Sequence, residues 1–437
     1  MIDMSIKINF PGISQEDFDY ALYCLDICKE SDAPDYGFNY PYFTPGGHYG
    51  KQWWQLDSSL CLGGYKWVDR NFSETSLNNF IESQKENGRI CLWGRDEIPS
   101  KVAGDNFPEQ GKEVSSLPKL FDIAYHILKG TSDKVLTEKT YTMLKKYLDW
   151  WYEYRLDEKT GLISSVFEET FTPYLGKAGE YAGVDTNVEV YAGLHHVEIL
   201  ARKLSDTDYA DELAGRKAKL KESINTYLWN EEKGAYLPYD LLKGESIDRL
   251  IATTFAPMRF GIADGEKRGS LIALMTDDSH FNWNTYPLTS VSKKDSSFTV
   301  TEGGYQGNAS WSGSVWTLMN ETVIRGLVDS GEHSLASELA LKTIRTFNHN
   351  CAEFASPYDG KGHGVIEYGW TASQYIQLLV EVIFGISYDK ATDTVTITPH
   401  LTEELKKEKI SIEGLQLSDG KLLDVVIDKG NIEYKKR

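Results

Sequence analysis

Long apolar runs are missing from this chain of 437 residues. No stretch of about 18 consecutive apolar residues occurs, so no membrane-spanning helix is expected. The opening residues, Met1 to Gly12, lack a basic start followed by an apolar run, and no secretory signal is read there. Positive charge is scarce as well. Against 65 Asp and Glu stand 46 Lys and Arg, a net charge of −19. Phosphate binding needs clustered cations, so a nucleic-acid partner is excluded and a neutral substrate is favoured. Cysteine is sparse and irregular: Cys24, Cys28, Cys61, Cys91 and Cys351. An odd, scattered set fits a reducing cytosol, and a cytoplasmic location is expected. Cys24 and Cys28 stand one helical turn apart, as a metal pair would. No second Cys or His pair completes such a site, so they read as core thiols.

Aromatic residues are plentiful, with 11 Trp and 26 Tyr. Most should be core, but aromatics with polar tips also line pockets. Helical periodicity dominates the chain up to about Phe384. It runs from Phe18–Lys29 and Leu56–Asp69 through Ser76–Asn87, Leu117–Leu128, Leu136–Arg155, Asp185–Leu204 and Tyr209–Leu228. Leu250–Phe260, Glu266–Met275, Gly313–Ser330, His333–Asn348 and Thr371–Phe384 follow. Several of these are apolar on both faces, as inner helices of a barrel would be. The loops 42–54, 161–183, 281–311 and 352–370 are long, polar and rich in Gly, Trp and acids, which is where function tends to sit. The tail turns to alternation in Ala391–Pro399, Ile410–Leu415 and Leu423–Ile432, which predicts a small β appendage. The expected division is a helical domain over 1–388 and a β-rich extension over 389–437.

Four segments carry candidate chemistry. Gln52-Trp53-Trp54-Gln55-Leu56-Asp57 joins two tryptophans to an acid at a helix start. Two adjacent tryptophans cannot both face one side of a helix, but one can stack on a sugar ring while Asp57 accepts hydroxyl hydrogen bonds. Asp57 could equally cap its helix. Trp93-Gly94-Arg95-Asp96-Glu97 offers Arg95, either for a hydroxyl or for a plain surface ion pair. Ser164-Ser165-Val166-Phe167-Glu168-Glu169 sets two acids among apolar groups, a setting that raises a carboxyl pKa as a general acid requires. Cys351-Ala352-Glu353-Phe354 does the same for Glu353, followed by Tyr358 in a Pro-Tyr-Asp-Gly turn. The plainer reading of the doublet is one exposed loop Glu and one in an ion pair, and Glu353 could equally be a solvated residue of a loop at a helix C-terminus. Gln306 and Trp311 lie in aromatic–polar stretches that suit a hydroxyl-binding wall or simple rim packing.

Taken in order, these pieces resemble the (α/α)6-barrel glycosidases of the trehalase, family 63 α-glucosidase and mannosylglycerate hydrolase type. The resemblance is carried by Gln52–Asp57, Gln84–Gly88, Asp149–Ile163, Val184-Asp185-Thr186-Asn187, Trp311–Trp316, Gly326-Leu327, Glu353–Gly360 and Trp370-Thr371-Ala372. It implies a mainly α fold, an (α/α)6 barrel with a small C-terminal β appendage. It also implies inverting hydrolysis of a short α-linked glucoside or mannoside by a carboxylic acid pair, with no metal and no organic cofactor, because proton transfer and water suffice. Glu353 falls at the position of the family's base. At the acid position the relatives carry an Asp in Ser-Gly-Xaa-Asp, where this chain has Ser165-Val166-Phe167-Glu168-Glu169. That doublet is similar to the aromatic-Glu-Glu of glucoamylases, which assigns Glu168 as acid with Glu169 in reserve. The resemblance makes Trp54 and Asp57 sugar contacts, with Trp53, Arg95, Gln306, Trp311 and Tyr358 as further candidates. The partner is then a small oligosaccharide or glycoside. A phosphorylase on the same barrel would need an anion pocket, for which Lys361 and His363 are the candidates. A sugar epimerase would need His bases, for which His195 and His196 stand in an apolar helix. A non-catalytic sugar-binding protein would keep the aromatic loops without opposing the two glutamates.

Overall fold

The computed structural model describes residues 6–33, 38–46, 49–94, 114–166, 168–172, 180–300 and 311–437. Eleven main helices follow in chain order: α1 (Gln15–Cys28), α2 (Gln55–Tyr65), α3 (Arg70–Ser83), α4 (Leu120–Lys129), α5 (Lys134–Tyr154), α6 (Val184–Lys203), α7 (Thr207–Ser223), α8 (Gly265–Thr276), α9 (Thr317–Asp329), α10 (His333–Thr346) and α11 (Gly369–Gln377). A 3-10 segment, Ala252–Gly261, lies between α7 and α8. Among the described residues no helix is long and apolar enough to cross a membrane.

Burial sorts these helices into two layers. Every residue of α2 and of α11 is buried, as are most of α4, α6 and α9. A helix buried all round must be packed on all sides. Here α2 packs on α4, α4 on α6, α6 on the 3-10 segment, that segment on α9, α9 on α11, and α11 back on α2. The inner helices therefore close a ring. Outside it, α1 lies on α11, α3 on α2 and α4, α5 and α7 on α6, α8 on the 3-10 segment and α10 on α9. The outer helices bury one face only. In α3, Phe80, Leu77 and Ser73 turn inward, and Asp69 caps the start by accepting from the Phe72 N–H at 2.9 Å. The closest approach in the ring depends on Gly64: a Cβ there would lie 2.1 Å from the Ser373 carbonyl oxygen.

The predicted β appendage is present, but it draws on both ends of the sequence. Strand β1 (Lys7–Asn9) pairs antiparallel with β4 (Lys409–Gln416), which pairs with β5 (Leu422–Asp428), which pairs with β6 (Asn431–Lys436). A separate hairpin joins β2 (Ile386–Asp389) to β3 (Thr394–Ile397). Ile410, Ile412, Leu423 and Val425 belong to the same buried cluster as the ring helices, and the Gln416 N–H donates to the Trp67 carbonyl at 2.7 Å. The sheet thus shares the main core.

Candidate functional site

The chemistry gathers at one end of the ring, where α2, α6, α9 and α11 begin. Asp57 lies in the first turn of α2, with Trp54 as its N-cap residue. Asp185 opens α6 and Tyr368 is the N-cap residue of α11.

The first turn of α6 clamps the loop that carries Glu168 and Glu169. The Asn187 carboxamide accepts from the Ile163 N–H at 2.8 Å and donates to the Ile163 carbonyl at 2.9 Å. The Thr186 hydroxyl donates to the Glu169 carbonyl at 2.6 Å. Asp185 accepts from the Thr170 hydroxyl at 2.5 Å and from the Phe171 N–H at 2.7 Å. Held this way, the loop turns sharply at Glu168, whose φ of +72° is left-handed. A glutamate gains nothing locally from that conformation, which costs on the order of 1–3 kcal/mol and tends to persist where the surroundings enforce it. The turn sends neighbouring glutamates to different environments. The Glu169 carboxylate is fully buried and accepts from Arg155 at 2.7 and 2.9 Å, from the Ser115 N–H at 2.9 Å and from the Val166 N–H at 3.2 Å. As reserve acid it is a poor fit, because its lone pairs are engaged by an ion pair and two backbone donors. Glu168 keeps part of its surface open.

Glu353 arrives on a short hairpin, Phe354–Ala355 paired with Gly362–His363. It is almost wholly buried. Its N–H donates to the Val365 carbonyl at 2.7 Å, and its carboxylate accepts a long bond of 3.4 Å from the Val365 N–H. Gly364 has a φ of +78°, and a Cβ there would stand 3.1 Å from the Glu353 carboxylate and 2.7 Å from the Phe354 ring. Asp57 is buried and accepts from the Tyr368 hydroxyl at 2.7 Å. Burial pushes the Glu168 and Glu353 carboxyls each up to about 8 and that of Asp57 to about 7. Charge on Asp57 raises both glutamates further, and Glu168 raises Glu353. Three carboxyls that feel one another in poorly solvated surroundings form one acidic site.

Aromatic rings connect the two glutamate-bearing segments. Phe171 meets Trp311 and Trp316 edge-on, Trp316 packs on Phe354, and Trp316 also touches Trp370. Trp54 is half-buried, lies edge-on to Tyr49 and packs with Trp93 against Leu92, Val114 and Val166. Among the sequence candidates, then, the structure couples Glu168, Glu353 and Asp57, while Trp54 stands at the start of the helix that carries Asp57 and Trp311 packs on Phe171. Trp53 does not join them: it is 1% exposed, against Phe38 and Phe80. The strand-like backbone of residues 53–54 turns consecutive side chains to opposite faces. Tyr358 does not join them either. It is 64% exposed at the tip of its turn. Arg95 and Gln306 lie outside the described residues. Tyr368, Asp185 and Arg155 went unnoticed in the sequence as site residues. Tyr368 could have been found two positions before the Trp370-Thr371-Ala372 motif, and Asp185 inside Val184-Asp185-Thr186-Asn187.

The alternative chemistries find less support. The Lys361 ammonium is 84% exposed and pairs with Asp359 at 2.9 Å, so it builds no enclosed anion pocket. His196 lies further along α6, bonded to Asp122 at 2.8 Å. Asp122, His126 and His196 have the composition of a metal site. Yet Arg259 reaches the same Asp122 oxygen at 3.2 Å and also pairs with Glu189, which Lys119 meets at 2.8 Å. The lattice continues through Glu321, Arg325, Glu381 and Lys66. Its four acids are matched by four bases without a metal ion, and a cation at Asp122 would face the Arg259 guanidinium.

Residues 168–371 match the family model described as the mannosylglycerate hydrolase MGH1-like glycoside hydrolase domain. The mannosylglycerate hydrolase of Rubrobacter radiotolerans is 28% identical over 185 residues, which are 42% of this chain and 40% of that enzyme. The chain therefore spans about two fifths of that relative. The family 63 mannosylglycerate hydrolase of Thermus thermophilus, solved in complex with glucose, shares the fold with a TM-score of 0.67 at 18% identity, covering 83% of this chain and 99% of that one. A family 78 rhamnosidase of Bacillus sp. GL1 superposes with a TM-score of 0.70 at 16% identity over 99% of this chain and 41% of its own, so the β appendage is part of a recurring architecture. The domain match at 168–371, with the mannosylglycerate hydrolase, glucosidase and trehalase relatives beside it, makes the chain similar to glycoside hydrolases of the mannosylglycerate hydrolase, family 63 glucosidase and trehalase type.

Proposed function

We infer that the chain hydrolyses a short α-linked glucoside or mannoside with inversion at the anomeric carbon, in the mouth of an (α/α)6 barrel formed by the ring of helices. The observation that carries this is a pair of carboxyls, Glu168 held at a left-handed turn and Glu353 buried on its hairpin, in one acidic site where burial raises both. Inversion needs one carboxylic acid to protonate the leaving oxygen and one carboxylate to activate water across the sugar ring. Charge on Glu168 raises Glu353, so the two acids give up their protons in sequence and the pair passes through a singly protonated state. The Val365 N–H steadies charge on Glu353, whereas nothing comparable lowers Glu168. By the resemblance Glu353 is the base and Glu168 the acid. Asp57, oriented by the Tyr368 hydroxyl, accepts hydroxyl hydrogen bonds from the nonreducing sugar, and Trp54 supplies a flat apolar face. Trp311, Arg95 and Gln306 complete the wall by resemblance. The five cysteines are all buried free thiols, which fits a cytoplasmic enzyme.

A panel of α-linked disaccharides and glycosylglycerates tests this, with Glu168→Gln and Glu353→Gln beside the wild type. One substrate should be turned over, and each variant should lose about 10²-fold or more in kcat. Inertness of the wild type on every α-glycoside, or full rates in both variants, would remove the acid pair.

A further inference from the structure

We propose that Glu169 is the positioning residue of the acid: with Arg155 it holds the Glu168 backbone in its left-handed turn and so aims the proton donor. This rests on the assignment of Glu168 as acid. The loop makes the turn at a residue with no intrinsic preference for it, so the enforcing contacts must lie beside it. On the far side, α6 bonds the backbone at Ile163, Glu169 and Phe171. On the near side, the Glu169 side chain ties three separate pieces of chain into one knot. Its carboxylate reaches forward to Arg155 at the end of α5, across to the Ser115 N–H ahead of α4, and back to the Val166 N–H two residues before Glu168. The Leu117 N–H then fastens the Glu168 carbonyl itself at 2.8 Å. Four bonds therefore converge on the residue after the acid. The Arg155 guanidinium, which also lies over the Trp150 ring, makes the ion pair with two nitrogens, a geometry that fixes direction as well as distance. The ion pair adds little charge of its own beside the acid, since Arg155 offsets Glu169, and the charge that raises Glu168 comes from Asp57.

The test compares two leaving groups on the sugar that the wild type accepts. The natural glycoside needs protonation of its leaving oxygen; the corresponding glycosyl fluoride expels fluoride with far less help. In Glu169→Gln, kcat on the glycoside should fall about 10²-fold, kcat on the fluoride should stay within about 3-fold, and KM should change little on either. Arg155→Lys keeps the charge without the two-pronged contact, and should show the same leaving-group pattern at smaller size. It stands as the second probe should the Gln variant unfold early in a thermal melt. Equal losses on both substrates, or full activity on both, would overturn the positioning role. Glu168→Gln serves as the control. If it fails to discriminate the two leaving groups, the acid assignment falls; if it discriminates and the Glu169 and Arg155 variants do not, only the positioning falls.

Discussion

Glu168 and Glu169 have the same side chain and adjacent numbers, yet one is partly open in the acidic site and the other is locked beneath it. Sequence marks the doublet as chemically interesting but cannot say which member points where, because the answer lies in a left-handed φ and in an arginine at the end of the preceding helix. The Trp53–Trp54 pair shows the reverse. That the two rings must diverge was readable from adjacency alone, while the choice of Trp54 for the open side depended on Phe38 and Phe80 filling the space around Trp53. The acids also leave a mark on stability. The folded Glu353 holds its proton to about 8, far above an ordinary glutamate, so the folded state is favoured at low pH and loses that advantage as pH rises from about 4.5 through 8. Glu353→Gln removes the penalty. Its thermal midpoint should match that of the wild type near pH 5 and exceed it near pH 9, by about 2 kcal/mol in stability. Parallel midpoints across that range would contradict the shift.

Helices were legible as elements and less so at their edges. Ser76–Asn87 was the expected run, whereas α3 begins at Arg70 behind the Asp69 cap and stops at Ser83. The apolar stripe gave the helix, but the polar first turn hid its start. The tail's first alternating segment, Ala391–Pro399, turns out to straddle β3, and β1 is too short to show any alternation at all. The ring helices were recognisable because they are apolar on several faces, a property of composition. Their mutual order is set by contacts such as the Gly64–Ser373 approach, which no local pattern encodes. Gly64→Ala should therefore lower stability by about 3 kcal/mol, read as a fall in the urea midpoint with an unchanged slope. An undiminished midpoint would mean that α2 and α11 are free to separate.

Across the whole molecule, function and stability are assigned to different parts of the ring. The mouth gathers three acids with few counter-ions among the described residues, which suits chemistry and costs stability. Away from it runs the lattice from Lys66 to Arg259 in which acids and bases alternate. Burial alone would raise the Glu381 carboxyl, but Lys66 and Arg325 hold it well below the ordinary range. Its contribution is present above the ordinary glutamate pKa and fades as pH falls through the lowered one. Removing one partner strands the others, so Glu381→Gln should cost about 3–5 kcal/mol in thermal unfolding while kcat at saturating substrate stays unchanged. A large loss of kcat with an intact melting curve would show that this lattice reaches the chemistry.

The pairing of β1 with β4 gives the molecule a timetable. As the chain is synthesised, Lys7–Asn9 emerges long before its partner Lys409–Gln416. Asp57, Glu168 and Glu353 have all emerged before the sheet can form, so the acidic mouth can begin to assemble on a nascent chain whose first strand still waits for its neighbour.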